Sequence, residues 1–145
     1  MTSEEDSLSF LLADVSRMMR QAFQNRLDGS SLSLAQARAL VYLARHQGVR
    51  QIDLADILEV QPITLARLID QLEEAGLVER QTDAADRRAY RMFLTDAATP
   101  HLAAIREVGA AIQADVLRDL DKQEAAAVLV ALRKMRRNLG SCRNR

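Results

Sequence analysis

Residues 51–94 read QIDLADILEVQPITLARLIDQLEEAGLVERQTDAADRRAYRMFL. Residues 52–58 and 62–75 carry apolar side chains at helical spacing. Pro62 suits a first helical position, where no amide hydrogen is needed, and Gly76 marks the exit. Residues 77–82 and 89–94 then read as strands, with Tyr90, Met92 and Leu94 on one face at period two. The polar residues 83–88 lie between them, so the pair is a β-hairpin. A helix-turn-helix needs two helices held at a steep angle by a small buried contact and a tight turn. Ala55 is small enough to allow that approach, and Leu54, Leu58, Val60, Leu65 and Leu68 are apolar where the inter-helix core should lie. Glu59 stands where such a turn often has glycine, which asks for a looser turn.

A helical wheel of residues 62–75 gathers Leu65, Leu68, Ile69 and Leu72 on one side and turns Ile63, Ala66, Arg67 and Asp70 outward. The N-terminal half of a recognition helix is the part that reaches base edges, so the DNA-reading candidates are Gln61, Ile63, Thr64 and Arg67. Arginine can give a bidentate pair to guanine, and isoleucine can touch a thymine methyl. Glu73 and Glu74 lie at the far end, away from the DNA. At the hairpin tip, Asp86, Arg87 and Arg88 suit insertion into a narrow minor groove, whose negative potential attracts arginine. Asp86 is expected to orient one guanidinium by a charge-assisted bond. The plainer alternatives are a helical hairpin inside an unrelated bundle and a solvated charged turn. Residues 61–94 hold five arginines against six acids. Affinity must then come from positioned arginines and helix-start amides, and should weaken with salt on a modest slope.

Outward from this unit the pattern stays helical. Leu8, Leu11, Leu12, Val15, Met19, Ala22 and Phe23 form one face of a helix over about 6–27. Ser33 and Gln36 predict a capping box for a second helix that stops near Gly48. After the hairpin, Leu102, Ile105, Val108, Ile112, Val116 and Leu120 make a long stripe. Its helix starts in one of two ways: Thr95 caps it and Pro100 distorts it, or Thr99 caps it and Pro100 is its first residue. Asp121 and Glu124 predict a reciprocal cap for a last helix, ended by Gly140. Both ends of the chain are thus amphipathic helices with uncovered stripes, which predict a second copy of the chain as partner.

The 145 residues suffice for one domain with a real core, and with aromatics at 3% that core must be aliphatic. The net charge is zero, so no diffuse basic field points to nucleic acid. The single cysteine, Cys142, rules out an internal disulfide framework. The acidic start lacks the basic opening of a signal peptide, and no apolar run is long enough for a membrane span. The reading is a cytoplasmic protein with no membrane association. His46 and His101 stand alone, so neither metal nor cofactor is expected. The basic run Arg133, Lys134, Arg136, Arg137, Arg143 and Arg145 reads as a solvated face or a further contact. No catalytic set is present, so the chain is not read as an enzyme.

Taken together, QLEEAGLVER at residues 71–80, Asp86-Arg87-Arg88 and Leu94-Thr95 resemble the signature of the MarR family of bacterial regulators. The pattern is nearest to the SlyA-type branch, including a proline (here Pro100) shortly after Leu-Thr. The resemblance is strong over about residues 51–100 and architectural beyond them. It implies a mainly α fold with a small β-wing: a winged helix-turn-helix lobe at 32–98, with dimerisation helices at 1–31 and 99–145, in one domain. It implies a triangular homodimer on palindromic double-stranded operator DNA, with recognition helices in successive major grooves roughly 34 Å apart. The family's groove arginine falls on Arg67 and its wing-tip arginine on Arg88, beside Arg87 and Asp86. Many relatives are repressors released by small aromatic acids, which implies an effector site lined by Arg17, Arg20, Ala39 and Leu43. In that site Arg17 or Arg20 would meet the carboxylate. Ala39 and Leu43 stand where the SlyA branch has aromatic and polar residues, and the two arginines read equally well as interface ion-pair partners. Two other functions remain open: a redox-responsive regulator acting through Cys142, and a winged-helix module that docks protein instead of DNA.

Overall fold

The computed structural model describes residues 7–142, with side chains from 7 to 140. It consists of α1 (Leu8–Leu27), α2 (Leu34–Arg45), α3 (Gln51–Leu58), α4 (Pro62–Glu74), β1 (Val78–Thr82), β2 (Tyr90–Leu94), a 3-10 turn (Asp96–Ala98), α5 (Thr99–Val116) and α6 (Lys122–Cys142). These residues divide into two compact units between Gly109 and Ala110. The acidic start (residues 1–6), Arg143 and Arg145 lie outside the described residues, as does the Cys142 side chain.

The helix starts follow from their caps. Ser33 and Gln36 form the expected reciprocal pair, with the Gln36 amide donating to Ser33 Oγ at 3.1 Å and the Ser33 amide to Gln36 Oε1 at 2.9 Å. The same exchange links Asp121 and Glu124 at the start of α6. Thr95 does not cap α5. Its hydroxyl donates to the Gly76 carbonyl at 2.6 Å, and it precedes the 3-10 turn without capping it. The chain then runs into α5 with Pro100 in the first turn, where a missing amide hydrogen disturbs nothing. Gly140 does not end the last helix, which continues through it to Cys142.

The core of the first unit is aliphatic. Leu40, Leu43, Leu54, Leu65, Ile69, Leu72 and Met92 are fully buried, joining α2, α3, α4 and β2. The lobe reaches further than residues 32–98. Leu102 and Ile105 of α5 belong to the same buried cluster, and Phe23 and Leu27 of α1 pack against it. Part of each supposedly uncovered stripe is therefore covered by the lobe itself. What stays open on α1 is its N-terminal stretch: Leu8, Phe10, Leu11, Leu12, Val15 and Met18 are all exposed.

β1 and β2 pair antiparallel from Val78 opposite Leu94 to Thr82 opposite Tyr90. The free edge of β2 is taken up by the α2–α3 connection. The Gly48 amide donates to the Met92 carbonyl at 2.8 Å, and the Met92 amide to the Val49 carbonyl at 2.9 Å. The wing is thus stitched to the start of α3, and no long unpaired edge is left on that side.

Candidate nucleic-acid interface

α3 and α4 end in the same way. In each, an amide two residues past the last full turn reaches back five positions: Val60 to the Ala55 carbonyl at 3.0 Å, and Leu77 to the Leu72 carbonyl at 2.9 Å. Such a closure needs one left-handed residue. Gly76 supplies it after α4 with φ +78, at no steric cost. After α3 the residue is Glu59, with φ +56. The turn is therefore not looser than usual, as its side chain had suggested. Glu59 adopts the glycine conformation itself, and the backbone bond holds it there. The result is a tight helix-turn-helix in which Leu54, Ala55, Leu58 and Leu65 are buried.

This packing decides which residues α4 presents. Leu65, Ile69 and Leu72 face the core, whereas Gln61, Ile63, Thr64 and Arg67 are exposed. Ile63 is 66% exposed, a large apolar side chain held open at the start of the helix. Neither Gln61 nor any other side chain caps that start.

Arg80 on β1 fixes the orientation of α4. Its guanidinium donates to the carboxylates of Asp70 and Glu73, to the Ala66 carbonyl at 3.0 Å, and to Gln51 Oε1 at 3.0 Å. Its own amide donates to Glu73 Oε2 at 3.1 Å. The side chain is only 16% exposed. One residue of the wing thus binds α3 and α4 together. From the sequence, Arg80 enters only the charge balance of residues 61–94, and Glu73 is set aside at the far end of the helix. The signal was available: Arg80 shares a strand face with Val78, which is buried, so it points inward.

A second cluster sits where the wing meets the start of α3. The Asp83 carboxylate is buried. Oδ2 accepts from Arg50 Nε at 3.0 Å, and Arg91 Nε lies 3.4 Å away, while Oδ1 accepts the Ala85 amide at 3.0 Å. These partners hold the Asp83 pKa below its ordinary value, the Ala85 amide most, against the opposite push of burial. Arg91 also donates to the Gly48 carbonyl at 2.8 Å.

The wing tip differs from expectation in one respect. Asp86 does not hold a guanidinium. Its Oδ1 accepts the Arg88 backbone amide at 3.0 Å, and its carbonyl accepts the Ala89 amide at 3.0 Å. Asp86 is a turn-forming residue, because a short carboxylate one atom from the backbone reaches the amide two residues on more readily than a flexible guanidinium. Arg87 and Arg88 stand exposed on the turn and enter no ion pair among the described residues.

The four residues expected around an effector occupy two environments. Ala39 and Leu43 are fully buried in the lobe core. Arg17 and Arg20 are exposed on α1, where Arg17 pairs with Asp14 at 3.4 Å and Arg20 donates to Ser16 Oγ at 2.8 Å. Among the described residues, no cluster of three or more His, Cys, Asp or Glu side chains is placed to hold a metal. No helix there is long and apolar enough to cross a membrane.

Residues 32–90 match the family model described as the MarR family. Over 99% of this chain and 98% of the other, the fold is similar to a crystal structure of MarR, at 26% identity and a TM-score of 0.88. A crystal structure of the S. aureus MepR–DNA complex is 27% identical, with 94% and 99% of the chains covered and a TM-score of 0.71. The transcriptional regulator SlyA is 25% identical over 90% of this chain and 92% of that one, with a TM-score of 0.73. The chain has the mainly helical winged fold of MarR-family transcription regulators, with a two-stranded antiparallel wing.

Proposed function

We propose that this chain is a MarR-type transcription regulator that binds a palindromic operator as a homodimer, with α4 in the major groove and the wing tip in the adjacent minor groove. One observation carries the reading. Of the five arginines in residues 61–94, Arg80 and Arg91 are tied into the lobe. The exposed ones without an ion pair among the described residues, Arg67, Arg87 and Arg88, stand on the outward face of α4 and at the wing tip. The fold thus uses its other arginines for structure and leaves charge at the two places a winged helix presents to DNA. The S. aureus MepR relative, solved as a DNA complex, supports the same reading. Leu94-Thr95 followed by Pro100 supports a place near the SlyA-type branch.

The dimer is supported by the open apolar stretch of α1 and, separately, by the exposed Val128, Val130, Leu132 and Leu139 of α6. Release by a small carboxylate would act through Arg17 or Arg20, whose guanidiniums are accessible. Ala39 and Leu43 would enter such a site through packing, because both are sealed in the core.

Gel shifts with the chain's own upstream region test the proposal. Arg67→Ala should reduce discrimination between operator and unrelated duplex by about 1–3 kcal/mol per half-site. Arg88→Ala should weaken operator binding while leaving the dimer intact. Variants that bind like the parent would remove both assignments. A parent with no salt-dependent affinity for any duplex would favour a protein-docking module instead.

A further inference from the structure

A major groove and the minor groove beside it are separated by a single sugar-phosphate strand. A protein that places α4 in the first and its wing tip in the second must leave a channel for that strand between the two. Such a channel is present. It holds about 330 Å³ between the start of α3, the first turn of α4 and the wing, with Gln51, Ile52, Pro62, Arg88 and Tyr90 among its walls. We infer that this channel seats one sugar-phosphate strand, held by the Gln51 amide NH2, the Tyr90 hydroxyl and the Arg88 guanidinium. The inference rests on the DNA-binding reading above.

A phosphodiester offers acceptors and no donor, so the channel must offer donors. Gln51 meets this condition through Arg80. Its Oε1 accepts from Arg80 Nε at 3.0 Å. A guanidinium has no acceptor, so this contact fixes which way the amide lies and leaves Nε2 with its two hydrogens for another partner. Tyr90 is 47% exposed, and its hydroxyl makes no hydrogen bond among the described residues. Arg88 adds a full positive charge from the tip. Asp86 is the carboxylate on the channel wall, and its Oδ1 is engaged by the Arg88 amide. Arg50 lines the channel as well, and it shares the one Asp83 carboxylate with Arg91, which leaves that cluster one positive charge in excess.

The apolar walls fit the same occupant. Ile52 is 62% exposed, and Pro62 and the Tyr90 ring lie open beside it. Deoxyribose presents a largely apolar face between successive phosphates, so an aliphatic and aromatic wall edged by donors matches a sugar-phosphate chain better than free solvent. Backbone contacts of this kind set register and carry no sequence information.

Tyr90→Phe removes one hydroxyl. Gln51→Glu keeps an oxygen for Arg80 but replaces the donor with a charge that repels phosphate. Fluorescence anisotropy with the operator and with a scrambled duplex of equal length, over a range of salt, tests both. Each variant should weaken the two duplexes by the same factor, about fivefold for Tyr90→Phe and about tenfold or more for Gln51→Glu. Tyr90→Phe should leave the slope of log affinity against log salt unchanged, whereas Arg88→Gln should lower it by about one for each channel occupied. Thermal melts of both variants should match the parent, since a purely structural role for Gln51 is met by the glutamate oxygen. Parental affinity in both variants would overturn the inference while leaving the regulator reading in place. A loss confined to the operator would also overturn it, because those side chains would then be reading bases. A parent that binds neither duplex would instead remove the premise itself.

Discussion

Asp83 carries a buried charge whose partners lie far apart in the chain: Arg50 is 33 positions away, and the Ala85 amide and Arg91 complete the site. Its folded-state pKa is depressed, first by the Ala85 amide and then by the two arginines. A depressed carboxylate stabilises the fold fully above its unfolded-state pKa, and that stabilisation is lost as pH falls through the folded-state value. Urea midpoints should therefore decline in acid, from about pH 4 downward. Asp83→Asn should flatten that decline and lower the midpoint at neutral pH, and an acid limb identical to the parent's would show the charge to be idle. Nothing local marks Asp83 in the sequence, where it reads as one more loop acid. Arg67 and Ile63 were legible because a helical wheel needs only neighbours three and four positions away. Glu59 lies between these cases. Its position in the turn could be read, but its left-handed backbone is imposed by the Val60 amide bond to the Ala55 carbonyl, which is indifferent to the side chain.

Among the elements, α4 depends most on a neighbour. Its inner face packs through Leu65, Ile69 and Leu72, and its azimuth is set by Arg80 from the adjoining strand. Arg80→Ala would leave Asp70 and Glu73 close together without a counter-charge and strip a donor from the Ala66 carbonyl. The expected loss is about 1–3 kcal/mol by urea unfolding, with operator binding reduced further as α4 drifts. Arg80→Lys should recover little, because an ammonium cannot make the same set of bonds to partners on two helices. An unfolding midpoint unchanged in Arg80→Ala would show that core packing alone sets the helix. The starts of α2 and α6 were readable because each cap is a pair of residues three apart. The end of α6 was not. A glycine in the last turn of a helix costs about 1 kcal/mol and does not by itself break it. The choice between Thr95 and Thr99 at the start of α5 stays open in the sequence for a third reason: the Thr95 hydroxyl serves the Gly76 carbonyl, 19 positions back.

For the whole molecule, the open apolar stretch of α1 requires cover. The chain should sediment as a dimer, and Leu11→Glu with Val15→Glu should weaken self-association on the order of a hundredfold or more. The same double variant should keep the lobe folded, because neither side chain contributes to the core. Single chains of the parent at working concentration would remove the two-fold operator with them. The internal pairing of Arg80 and Arg91 has an effect that reaches beyond any one binding site. If the chain acts as proposed, engaging two of the five arginines of residues 61–94 within the lobe lowers its generic hold on the chromosome. Few of its copies are then sequestered along the genome's vast excess of ordinary sequence. On that reading a smaller cellular pool would keep the operator occupied, and a modest change in that pool would be felt at the promoter.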